Sequence, residues 1–126
     1  MGKMVADAIL DAALSYISAN VDRISVCSSE PTTYGQATTT GTYKLAISST
    51  PTFQAPANGD VSGRKLTVDS ETSMAVDATG DAQHVALCKS GTSTLLYVTT
   101  CTLQGLTLGN TVTIPAWDIE IADPTP

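Results

Sequence analysis

Few side chains in this sequence are of types that carry out acid–base, nucleophilic or metal chemistry, and their spacing matches no catalytic pattern. His84 is the single histidine. A general base needs a nucleophile or carboxylate beside it, and the chain has neither a GxSxG elbow, nor an HExxH segment, nor a glycine-rich phosphate loop. On a strand beside alanines, His84 reads as a packing or surface residue. Cys27, Cys88 and Cys101 are odd in number and lack CxxC spacing, so neither a disulfide framework nor a zinc site is expected. They read as buried free thiols of a chain folded in a reducing cytoplasm. Asp77 and Asp81 around Gly80 bring oxygens together as a calcium loop would, but fall short in ligand number, and a turn accounts for the same residues. Trp117 could offer a stacking platform for a sugar or base; between Ile114 and Ile119 it reads as core. The expectation is a protein that is not an enzyme, with no catalytic residue, cofactor or metal.

Charge narrows the partners. With 12 acidic against 6 basic residues the net charge is −6, the opposite of what phosphate neutralisation or attraction to anionic lipid requires. Only Arg64 and Lys65 are adjacent bases, and they read as solvated or edge-protecting residues of a strand. No nucleic acid and no membrane is expected as partner. No apolar run approaches the roughly 18 residues of a spanning helix, and the first residues do not read as a secretory signal.

The positions of these groups depend on a change of hydrophobic period. Ala6, Leu10, Ala13, Leu14, Ile17 and Val21 recur at helical spacing, with Asp7, Asp11, Ser15, Ser18 and Asp22 on the other side. The spacing predicts one amphipathic helix over 5–20, with Asn20 as a left-handed stop. Beyond it the pattern is that of strands. Residues 23–27 and 43–47 alternate; Leu66 with Val68, Met74 with Val76, and 82–89 follow, as expected of an antiparallel β-sandwich over 23–122. Residues 94–102 are almost continuous in β-formers and read as a central strand. Val112 and Ile114 differ in parity from Trp117, Ile119 and Ile121, which predicts a bulge at Pro115 and Ala116. Residues 123–126 form a tail.

The fold class expected is therefore mainly β, an antiparallel β-sandwich with one N-terminal amphipathic helix, in a single domain over 1–126. Leu, Ile, Val and Phe make up roughly a fifth of the chain, close to the lower limit for a folded core. So thin a core favours a homo-oligomer that buries further surface between subunits. Two polar stretches, 32–42 and 48–63, read as irregular connections. The first, with Gly35, Gly41 and a run of threonines, reads as a surface loop or extended arm, and Thr32, Thr33, Tyr34, Thr38, Thr39 and Thr40 are its candidate partner contacts.

The order of segments resembles small proteins encoded in the structural modules of tailed bacteriophages and prophages. The resemblance runs through the opening helix, Ile24-Ser25-Val26-Cys27-Ser28-Ser29-Glu30-Pro31, Tyr43-Lys44-Leu45-Ala46, Ser62-Gly63-Arg64-Lys65-Leu66-Thr67-Val68, Gln83-His84-Val85-Ala86-Leu87, and Gly109-Asn110-Thr111-Val112-Thr113-Ile114 with Trp117-Asp118-Ile119. It implies a virion structural protein, and size, acidity and β-pattern look like a capsid decoration or cement protein. Its partner would be the major capsid protein, and its location the capsid surface after synthesis in the host cytoplasm. The alternatives are a tail or fibre component and a carbohydrate-binding β-sandwich module.

Overall fold

The computed structural model describes residues 3–124, so Thr125 and Pro126 of the expected tail lie outside the described residues. The chain is mainly β, built of antiparallel sheets behind one long N-terminal helix. Its contacts divide into two compact units, each made of separated segments: Met1–Ala19, Thr52–Ser70 and Ala116–Pro126 in one, Asn20–Pro51 and Glu71–Pro115 in the other.

In the first unit, helix α1 (Asp7–Asn20) accompanies a three-stranded antiparallel sheet in the order β3 (Ala57–Asn58), β4 (Arg64–Val68), β9 (Trp117–Ile121). Strand alternation sends Arg64, Leu66 and Val68 to one face of β4, where they meet Ile121, Ile119 and Trp117 across the ladder. Leu66, Val68 and Ile119 are buried, as are Leu10 and Leu14 of the helix. Arg64 shares that face and fixes the helix to it. Its Nε donates to Asp11 Oδ1 at 2.7 Å and its Nη2 to Asp11 Oδ2 at 3.2 Å, while Nη1 reaches Asn58 Oδ1 at 2.8 Å. Such a fork holds orientation as well as charge, and the hydrogen bond to Asp11 raises the Arg64 pKa above its ordinary value. Lys65 points to the other face and bridges Asp60 at 2.7 Å and Asp118 at 3.5 Å. The pair expected to be solvated is therefore engaged on both faces of a central strand.

Two helix expectations change. Asp11, placed by periodicity on the solvent side, is drawn to Arg64, and Ala13 is exposed where burial was expected. Asn20 does not stop the helix in a left-handed conformation, since among the described residues only Ser73 and Ser93 are non-glycines with positive φ. Its side chain instead accepts from Lys89 Nζ at 2.9 Å.

The second unit is organised by a four-stranded antiparallel sheet, β2 (Lys44–Ser48), β1 (Arg23–Cys27), β6 (Gly80–Lys89), β7 (Thr94–Leu106), in that order. A second ribbon pairs β5 (Glu71–Ala75) with β8 (Thr111–Ile114). The central strands are β1 and β6. Ile24 and Val26 pair with Leu87 and Val85 on one face, and Ser25 and Cys27 pair with Ala86 and His84 on the other; all but His84 are buried. The β-former run after Thr94 is instead an edge strand, half-buried up to Thr99 and exposed from Thr100 to Gly105. Propensity reports fit to a pleated surface and does not distinguish a centre from an edge.

The change of parity at Pro115 and Ala116 is not a bulge within one strand. β8 pairs with β5 and β9 pairs with β4, so the proline, which cannot donate to a ladder, marks where the chain leaves one sheet and enters another.

The turn before β4 is a sensitive point. Gly63 has φ +69°, and a Cβ there would collide with the carbonyl oxygen of Ile121. Gly63→Ala should lower stability by more than about 1 kcal/mol in urea titrations. Gly91→Ala, where a Cβ meets open space, should change it by less than about 0.5 kcal/mol.

Candidate functional site

The segment 32–42 is not an arm. Thr33 Oγ1 accepts from the Gln36 amide at 3.2 Å and opens a short helix, α2 (Tyr34–Thr38). Gln36 Oε1 reaches back to the Thr32 amide at 2.8 Å, Thr38 Oγ1 donates to the Tyr34 carbonyl at 2.8 Å, and Thr42 Oγ1 donates to the Thr39 carbonyl at 2.5 Å. Threonines that looked like loop composition are the caps of a turn. Thr33 with Gln36 was a legible capping signal.

The turn has a structural duty as well. α2 lies against β1, β2, β6 and β7. Ala37 is fully buried in a cluster with Cys27, Ala86 and Cys88, and Tyr34, Tyr43, Leu95 and Val98 pack around it. Of the six candidate contacts, Thr32, Thr33, Thr39 and Thr40 are exposed, while Tyr34 and Thr38 are half-buried. The helix gathers them along one seated stretch. Four of them present surface to solvent, although the Thr32 and Thr33 hydroxyls are also engaged with Gln36.

The groups able to do chemistry fall elsewhere. His84 sits across the ladder from Cys27 and Thr100, and its Nδ1 is enclosed without a hydrogen-bond partner. Asp77 is 2.9 Å from Lys44 Nζ, and its amide donates to the Leu45 carbonyl. Asp81 stands in β6 opposite Gly105. Among the described residues no group of three or more His, Cys, Asp or Glu side chains is arranged to hold a metal ion. Trp117 is half-buried opposite Val68, with its indole nitrogen enclosed. Asp22 is held below the ordinary carboxylate range, first by the Ser90 hydroxyl at 2.5 Å and then by the Ser90 amide at 2.8 Å. This ties the turn between β6 and β7 to the residue just ahead of β1.

The thiols are free, as expected, but only two are buried; Cys101 is exposed. It lies in β7 where one residue of β6, Gln83, faces three of β7, between the pairs Ala82–Gln104 and His84–Thr100. Irregularities of this kind re-aim side chains at a sheet edge. Burial raises the Cys27 pKa, and burial together with the neighbouring Cys27 and Asp22 pushes Cys88 up to about 11.

Two long stretches of the second unit are uncharged. Residues 31–43 and 90–117 contain no charged residue, and the second stretch includes the whole of β7 and the exposed Leu103 and Leu108. A cleft of about 390 Å³ opens beside it, lined by Val76, Gln104, Leu106, Asn110 and Val112 among others. β7 is also an open sheet edge. The opposite edge strand, β2, is continued by the bridge from Ala46 to Val76. No protein-family model, curated protein or solved structure matches the chain.

Thiol chemistry tests this arrangement. At pH 8 one thiol per chain, Cys101, should react promptly with a disulfide reagent, and all three should react in denaturant. Cys88 ionises more readily unfolded than folded, so the unfolded state binds fewer protons between about pH 9 and 11. The contribution of Cys88 to stability should therefore be fully present at neutral pH and be lost as the pH rises from about 9 to about 11. Cys88→Ser should flatten the decline in urea titrations.

Proposed function

We propose that this chain is a non-enzymatic structural component of a tailed-phage particle, of the capsid decoration type. It attaches to the major capsid protein in the assembled shell and stabilises that state. The segment resemblance supplies the particle. The observation that carries the mode of action is the uncharged, threonine-rich surface: an acidic chain that concentrates its charge elsewhere leaves Thr32, Thr33, Thr39 and Thr40 outward on a capped turn.

A rigid contact of this kind has a physical advantage. Seating Ala37 in the sheet pays the ordering entropy of the segment during folding, so less is lost on attachment. A protein that binds the expanded lattice and not its precursor shifts the balance between them in proportion to its differential affinity. Many copies per shell multiply that effect, with each contact remaining weak.

The test is occupancy. Thr32→Asp, Thr33→Asp and Thr40→Asp together keep a residue able to cap α2 at position 33 and place three charges on the proposed contact. They should cut copies per purified particle at least about 10-fold by quantitative mass spectrometry, with the thermal midpoint unchanged. Unchanged occupancy would remove the threonine contact. Absence of the wild-type chain from particles would sink the virion reading, and a few copies confined to the tail would make it a tail component.

A further inference from the structure

Strands β7 and β8 follow one another in the chain yet join different partners, β7 pairing with β6 and β8 with β5. They separate from the turn 107–110, and the wedge between them is the cleft of about 390 Å³. Main-chain bonds fix its closed end. The Gly109 amide donates to the Val76 carbonyl at 3.4 Å, the Val76 amide to the Asn110 carbonyl at 2.9 Å, and the Asn110 amide to the Thr107 carbonyl at 3.0 Å. The Leu108 amide donates to Thr79 Oγ1 at 3.0 Å. A site held in this way loses little freedom when a ligand enters it. All the residues that line it belong to the second unit.

The lining defines what fits. The volume falls at the lower end of small-molecule sites. None of the lining residues is charged, so an ionic ligand would give up hydration with no counter-charge in return. Val76 is buried and Val112 half-buried, while Gln104, Thr107, Asn110 and Thr111 are exposed around them. Among the described residues no hydrogen bond engages the Thr107 and Thr111 hydroxyls or the Asn110 side-chain amide. Gln104 Nε2 donates to the adjacent Gly105 carbonyl at 3.3 Å, which leaves its Oε1. The groups on offer are donors and acceptors together, since a hydroxyl is both and a side-chain amide carries one of each.

We propose that the cleft binds a neutral saccharide, a mono- or disaccharide unit of a glycan. Sugar hydroxyls are also donor and acceptor at once, so they pair with the amides and hydroxyls of the rim, and the C–H face of the ring lies on Val76 and Val112. A lipid chain would leave the four polar side chains unpaired. A nucleotide or an acidic sugar would bring charge that the cleft does not answer. An extended peptide is the nearest competitor, because the edge of β7 is open. Just before Gln104, however, one residue of β6 faces three of β7, and such an irregularity interrupts the ladder an added strand would need. A compact ligand needs no continuous edge. No aromatic ring lines the cleft, so hydrogen bonds carry the affinity and a single site binds in the millimolar range. The cleft shares no residue with the threonine stretch, and Trp117 belongs to the other unit. The inference holds whether or not the chain belongs to a particle.

Amide-resolved NMR of the full chain tests it. Titration with maltose and, separately, with N,N′-diacetylchitobiose up to about 50 mM should give saturable shifts at residues 104–113 with at least one of them, and glucuronate should give none. Thr111→Val and Asn110→Ala, each with a spectrum that otherwise matches the wild type, should weaken that binding at least about 5-fold. Thr102→Val, at an exposed β7 position outside the cleft, should leave it unchanged. No saturable shift with either disaccharide, shifts confined to other parts of the chain, or binding indifferent to both cleft variants overturns the site. An equal response to glucuronate overturns the neutral class. A tighter response at the same residues to the uncharged peptide acetyl-Thr-Val-Thr-Val-Thr-amide overturns the saccharide in favour of strand addition.

Discussion

A shortage of bulky apolar side chains governs how this chain closes its cores. One Trp, one Phe and four Tyr serve 126 residues, and protein interiors must still reach crystal-like density. In the four-stranded sheet the solution is small residues in contact: Cys27, Ala86 and Cys88 leave room for Ala37 to bring the backbone of α2 close to the strands. In the helix unit the apolar set is short, and the Arg64 fork supplies orientation that a larger set of leucines would otherwise enforce. Both solutions leave little margin, because a methylene lost or added at such contacts has no neighbour to absorb it.

What the sequence makes legible follows from range. Helix α1 and strand β1 are written in local periodicity, and the structure places them at 7–20 against 5–20 expected and at 23–27 as expected. The neighbours of a strand are not written locally. Thr94–Leu106 is rich in β-formers because it is a long strand, yet its place at the edge follows from β1 and β6 taking the centre, which depends on pairings some sixty residues apart. The parity change at Pro115 was visible, and its meaning required knowing that Glu71 and Arg64 lead to different sheets.

The threonine segment shows the same limit from the opposite side. Six of its residues were identifiable as candidate contacts from composition, and the Thr33 to Gln36 spacing was a helix signal hidden by Gly35 and the surrounding threonines. Hydrogen-bonding side chains close to the backbone compete for either a turn or a cap, and which one wins depends on whether the next apolar residue finds a pocket. Here Ala37 finds one, between strands brought together from distant parts of the sequence.

The interleaving of the two units has a consequence for how the protein is made. The chain passes from one unit to the other after residues 19, 51, 70 and 115, so α1 leaves the ribosome well ahead of β9, which pairs with β4. At ordinary synthesis rates the roughly 100 intervening residues take about 5–20 s. Throughout that interval Leu10 and Leu14 have no completed sheet to cover, so the pace of translation sets how long the nascent chain shows a face that chaperones bind.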